Sequence, residues 1–218
     1  MVKFIIILVL LLFSAFGSTA QKSFRIKDYM PQDVGLTWQF RNYVRDGLSP
    51  IVLKNSQIVD GKLRRDENNG DYRLQKLTEK GLEVYQLYFV GERVIDYEQT
   101  ILLIPAKVKV GEIYKSESRY TTRVKGQITE RGKQTYEVKL EKTEDAETPF
   151  RRFKNCLVFR TIALRIDESG TQKGYEIEEW YAKGFGAVKV IGTLFWKNAK
   201  GETTRTFQIN AELENFSR

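Results

Sequence analysis

Nucleophilic and acid–base catalysis draws on a short list of side chains, and this chain of 218 residues is missing part of it. It has no histidine and one cysteine, Cys156. Without imidazole, neither a Ser-His-Asp nor a Cys-His arrangement can be built. One thiolate with no histidine does not make a zinc site. No glycine-rich phosphate loop and no serine in a nucleophile elbow is present. Acid–base chemistry would fall to Glu, Asp, Lys or Tyr. The densest carboxylate group is Glu176, Glu178 and Glu179, just before Trp180-Tyr181. Paired carboxylates beside aromatics suit glycoside hydrolysis, and on a strand Glu176 and Glu178 share a face about 7 Å apart. The same spacing occurs on any solvated strand face, and that is the reading adopted. Asp66-Glu67-Asn68-Asn69-Gly70-Asp71 invites a calcium loop but fails on register. Counted from Asp66, glycine falls at the fifth position instead of the sixth, and Leu77 stands where the bidentate Glu belongs. Asn69-Gly70 is instead a hairpin-turn pair. The expectation is a protein that is not an enzyme and holds no metal or cofactor.

Binding chemistry is better represented. Several apolar stretches carry aromatics, and Tyr85, Phe89, Tyr97 and Phe207 are the candidates for an apolar concavity that would take an acyl chain or another flat apolar group. Self-filling of the same space by these side chains remains the alternative. Net charge is +8. Arg119, Arg123 and Lys125 share one face of a strand-like run, and Lys133 shares a face with Thr135, Glu137 and Lys139 on the next, so the pair could present a basic face. Acids are interspersed along most of the chain, which favours ordinary solubility charge over a nucleic-acid footprint. Expected partners are a lipid or other apolar ligand, or an envelope protein or anionic surface, and no nucleic acid. Cys156 lies in the apolar run Cys156-Leu157-Val158-Phe159 and reads as a small buried hydrophobe.

The elements that would position these residues are strands. Phe207, Ile209, Ala211 and Leu213 alternate with Thr206, Gln208, Asn210 and Glu212, a period of two. Residues 82–90 are rich in β-formers. Further strands are expected at 37–44, 50–60, 71–78, 93–104, 114–126, 133–143, 155–167, 174–182, 187–197 and 203–214. Glycine turns separate many of them. The short gaps imply antiparallel neighbours. A meander of about eleven strands cannot stay flat. The expected fold is therefore all-β: a single curled antiparallel sheet, half-barrel or barrel, with little helix.

Residues 1–20 read as a signal peptide. Lys3 precedes the apolar run Phe4 to Phe13, and Ser18 and Ala20 have the spacing a signal peptidase prefers. The expected mature protein is one domain over residues 21–218, exported to the periplasm or beyond and not membrane-spanning once processed. No cysteine follows the apolar run to carry a lipid.

Two segments resemble a group of uncharacterised bacterial envelope proteins. One is Tyr29-Met30-Pro31 with Val34-Gly35-Leu36-Thr37-Trp38. The other is Trp180-Tyr181-Ala182-Lys183-Gly184-Phe185-Gly186, an aromatic-Tyr-Ala-x-Gly-x-Gly motif. Asn155-Cys156-Leu157-Val158 is similar to a core strand of the same group. Many of those proteins have a small aliphatic residue in place of Phe185, and many are lipoproteins. The resemblance implies a half-barrel like that of bacterial lipoprotein carriers, and no catalytic residues. Read from its residues alone, the motif is a structural reversal, with Gly184 and Gly186 free to take positive φ. The function expected is a non-enzymatic binding or carrier module of the cell envelope for an apolar or amphipathic ligand. The alternative is an envelope structural or interaction protein docking a partner through its basic face.

Overall fold

The computed structural model describes residues 22–43 and 50–218, so the expected signal peptide and the cleavage point at Gln21 lie outside the described residues. Fourteen strands and one short 3-10 turn make up the described elements. They are β1 (Ser23–Arg25), the turn Ile26–Asp28, β2 (Thr37–Asn42), β3 (Ile51–Val59), β4 (Lys62–Glu67), β5 (Tyr72–Leu77), β6 (Gly81–Phe89), β7 (Arg93–Pro105), β8 (Lys107–Lys109), β9 (Ile113–Val124), β10 (Gln127–Glu147), β11 (Arg152–Asp167), β12 (Gln172–Ala182), β13 (Gly186–Lys197) and β14 (Thr203–Ser217). Twelve of them form one closed antiparallel barrel in meander order, and β1 pairs with β8 outside it. The sheet curls because a sheet this wide would otherwise leave edge groups unpaired, and closure removes both edges. The closing seam joins β14 to β2, with Leu213 opposite Phe40 and Phe216 opposite Trp38.

The sheet is a barrel and not a half-barrel, with one weak seam. β7 and β9 pair only from Arg93–Val124 to Tyr97–Tyr120. Beyond that point side chains replace the ladder: Ser118 Oγ accepts from the Gln99 N–H at 2.9 Å and Ser116 Oγ from the Leu102 N–H at 3.0 Å.

Two apolar clusters make up the buried core. The first joins Ile26, Met30, Leu82, Ile104, Leu140 and Phe159. Here the N-terminal segment closes one end, held by the Ile26 N–H to the Ala106 carbonyl (2.9 Å) and by the Gly184 N–H to the Asp28 carbonyl (2.8 Å). The second joins Trp38, Phe153, Cys156, Val158, Trp180 and Leu213. It forms because β10 and β11 outrun the barrel and their connection folds over, the Phe150 N–H reaching the Leu213 carbonyl at 3.0 Å. Cys156 is fully buried there as a free thiol, and burial chiefly raises its pKa to about 11.

Three expectations about elements are corrected. Residues 62–67 form a strand that the sequence reading left as a connection, because Lys62-Leu-Arg-Arg-Asp-Glu offers almost no β-formers. β10 runs from Gln127 to Glu147, longer at both ends than 133–143, since its ends find partners in β9 and β11. β1 and β8, three residues each, have no pattern of their own and exist because they pair with one another.

Candidate functional site

The inner wall is set by register. Cross-strand pairs Lys173–Trp196, Tyr175–Leu194 and Ile177–Gly192 lie on one face of β12 and β13, and the same face continues through Leu63–Gln75 and Arg65–Arg73 on β4 and β5. This face surrounds two adjoining cavities inside the barrel. The upper one, about 500 Å³, lies toward the turns that join β4 to β5 and β6 to β7, and its apolar lining includes Leu87, Phe89, Ile101, Leu194 and Trp196. The lower one, about 290 Å³, lies toward the N-terminal segment and is lined by Met30, Phe40, Leu53, Ile177 and Ile209 among others. Glu67, Arg73, Leu103, Tyr136 and Tyr175 line both, so the two cavities meet at a belt of charge and phenol.

The barrel wall strips water from the charges in and around that belt. Arg65 donates from Nε to Asn55 Oδ1 at 2.9 Å and stacks 4.7 Å from the Trp38 ring. Burial first, and then the charge of Arg73, push its pKa down to about 9, which leaves it protonated at neutral pH. Glu179 accepts from the Tyr181 hydroxyl at 3.1 Å and the Thr161 hydroxyl at 3.4 Å. Burial raises its pKa against the opposing pull of those bonds and Arg73. Glu67 is exposed, yet the wall around it strips enough water that burial raises its pKa too, again opposed by Arg73. Tyr136 and Tyr181 are pushed well above the ordinary phenol value by burial, and Tyr97 to about 12. These three remain neutral hydroxyls that can donate.

Higher in the lumen, Glu130 gathers three donors: the Tyr120 hydroxyl at 2.7 Å, Lys173 Nζ at 3.3 Å and, more distantly, Arg93 at 3.8 Å. Burial works to raise the Glu130 pKa, but these partners outweigh it and the net shift is downward. Arg165 stands beside this group with its guanidinium 5.5 Å from the Tyr120 ring. Its Nε and Nη1 atoms, and Nε of Arg73, are buried and have no acceptor among the described residues.

Among the aromatic candidates, Phe89 and Tyr97 line the upper cavity. Phe207 pairs with Leu194, which lines that cavity, and so lies on the inner face. Tyr85 does not belong with them. A bulge between Val84 and Gln86 shifts the register of β6, and the Tyr85 ring turns to the outer wall, 5.1 Å from Lys62 Nζ.

Arg119, Arg123 and Lys133 take the outer face, opposite the inward Ser118, Tyr120 and Gln134, and Lys125 sits exposed at the β9–β10 turn. The stripe is not continuous positive charge. Arg123 pairs with Asp96, Lys133 with Glu117 at 2.7 Å and Lys115 with Glu137 at 3.0 Å. Glu176 and Glu178 are exposed on the outside, Glu176 bonded to Arg160 at 2.9 Å, while Glu179 alone of the three points inward. Trp180 is tied by its indole N–H to Glu144 at 2.6 Å, and Tyr181 lines the lower cavity. Gly184 and Gly186 turn the chain at φ +77° and +84°.

Sequence reasoning missed Arg65, Arg73, Arg165 and Tyr175 as site residues. Parity places Leu63-Arg65-Glu67, Arg73-Gln75-Leu77 and Ala163-Arg165 each on one strand face, but only closure of the barrel shows that face to be the inner one. No family model and no curated protein matches the chain. Solved structures with a similar chain path include the hypothetical lipoprotein YmcC from Escherichia coli, 8% identical over 84% of this chain and 85% of that one, with a TM-score of 0.44. A "putative lipoprotein" from Parabacteroides distasonis is 15% identical over 87% and 98%, TM-score 0.46. A "putative exported protein with YmcC-like fold" from Bacteroides fragilis is 14% identical over 87% and 99%, TM-score 0.48. The likeness is one of chain path at low identity, and the functional reading rests on the lumen itself.

Proposed function

We propose that this protein is an exported, non-enzymatic binding or carrier module of the cell envelope that holds an amphipathic ligand inside its barrel. Export is read from residues 1–20. The observation that carries the binding reading is the pair of adjoining cavities, about 500 and 290 Å³, which the inner side chains do not fill. Volumes of this order are those of small-molecule sites, and the mixture of apolar wall with a few convergent polar groups is what such sites share. The basic-face alternative has less support, because acids lace the outer stripe.

Titration with a fluorescent fatty acid tests the reading. Saturable binding at one site is expected, weakened about tenfold by Phe89→Gln, which places a polar group on the apolar wall at a cost near 1.4 kcal/mol. Circular dichroism should stay unchanged. Absence of saturable binding across a panel of fatty acids and phospholipids would remove the carrier reading.

A further inference from the structure

The upper cavity carries more positive than negative charge. Arg73, Arg93, Arg165 and Lys173 line it against Glu67 and Asp71. Asp71 is already engaged, its carboxylate taken by the Val90 N–H and the Asn69 side chain, each at 2.9 Å. Arg93 and Lys173 are partly satisfied by Glu130. Arg165 and Arg73 are not. Neither takes part in an ion pair among the described residues, and three of their guanidinium nitrogens are buried without any acceptor.

An unpartnered buried donor costs free energy, more so on a charged group, and native structures seldom leave one without a reason. Glu67 and Glu179 are close enough to feel the charge of Arg73, but neither bonds to it. The neighbours supplied by the wall near these arginines are chiefly further donors: the hydroxyls of Tyr97, Tyr136 and Tyr175. No carboxylate of the wall accepts from these spare N–H donors, which leaves them open to an acceptor carrying negative charge on a ligand. Guanidinium matches carboxylate and phosphate in its fork geometry.

We propose that the ligand is an amphiphile with an anionic head, a carboxylate or a phosphate, received by Arg165 and Arg73 in the upper cavity while its apolar part lies along Leu87, Phe89 and Leu194. This rests on the lumen being a ligand site. The two arginines are ligand-binding residues on this reading and give up stability in the empty protein for the sake of the occupant, as binding sites often do.

The experiment competes decanoate, decyl phosphate, decanol and decyltrimethylammonium against the fluorescent fatty acid, with acetate and inorganic phosphate as headgroups without a tail. Decanoate and decyl phosphate should bind at least about tenfold more tightly than decanol, the scale of one charge-assisted hydrogen bond, and the ammonium probe weakest. Arg165→Met and Arg73→Met should each reduce that preference and the double variant should erase it, with unchanged circular dichroism showing that the variants are folded. Their thermal midpoints should equal or exceed that of the parent, where a purely structural role for the arginines would lower them. Decanol binding as tightly as decanoate, or an anion preference that survives both substitutions, overturns the anionic-head assignment and leaves the carrier reading standing. Acetate or inorganic phosphate binding as tightly as its decyl counterpart would make the site one for a small free anion and overturn the amphiphile. Binding of none of the probes removes the carrier reading and this inference together.

Discussion

Glu179 shows how one position in a run of three carboxylates differs from its neighbours. Glu176 and Glu178 face water, whereas Glu179 lies inside the barrel wall, and its pKa is raised above the ordinary 4.5 chiefly by burial. A raised carboxyl pKa means that the folded state binds the proton more tightly than the unfolded chain does. The penalty is absent well below the ordinary 4.5, where both states are protonated, grows as pH rises from there toward the folded value, and is constant above it. Glu179→Gln should therefore be neutral for stability well below pH 4.5 and increasingly stabilising as pH rises from there toward the folded value. Thermal midpoints of the two proteins across that range check it, and a constant difference at all pH values would contradict it. At this scale the sequence was only partly legible. The carboxylates and tyrosines were visible as residue types, but burial, which sets their charge and donor state, depends on which strand face turns inward.

Elements here are joined by turns that take their shape from glycine and their purpose from distant contacts. Gly186 begins β13 at φ +84°, a conformation that an L side chain adopts only with strain. A methyl group added there would meet nothing closer than Pro31 and the Trp38 indole nitrogen, both at 3.7 Å, so no clash would contribute. Gly186→Ala should cost roughly 1–2 kcal/mol from backbone conformation alone. A lowered urea midpoint with an unchanged m-value would register it. The neighbouring Gly184 links this turn to the N-terminal segment through its N–H, so the motif serves both to reverse the chain and to hold the closed end. β4 teaches the complementary lesson. Its inward positions after Leu63 are Arg65 and Glu67, so the alternation that reveals a half-buried strand is absent where the strand lines a polar lumen. Tyr85 was misplaced because a bulge inverts parity, and nothing local in residues 82–90 announces one.

Closure is a property of the whole molecule. β2 and β14 meet across nearly the entire described chain: Arg41 bonds to Glu214, 173 positions away, and Leu213 packs opposite Phe40. That exposed ion pair contributes little, because solvent screens it. The backbone ladder and the Trp38–Phe216 contact, with ring centroids 5.5 Å apart, carry the seam. Removing residues 203–218 should leave both β13 and β2 with bare edges and open the lumen to solvent. The expected result is a shortened protein that aggregates or dimerises through those edges, seen by size-exclusion chromatography with light scattering. A monomeric, cooperatively folding truncation would show that the barrel does not depend on its seam.

The amino-acid sequence alone determined the all-β class, the antiparallel neighbour order and the absence of histidine and disulfide chemistry. Each follows from local rules: strand parity, turn residues and short connections constrain nearest neighbours whatever the rest of the chain does. Only the tertiary structure decided that the sheet closes, that the interior stays partly open, and that Arg65, Arg73, Arg165 and Glu179 converge there. Closure depends on strands 173 positions apart finding each other. A charged residue on an inward face reads locally as a solvated position, because nothing in its neighbours tells a lumen from bulk water. The difference appears only when twelve strands close around the same space.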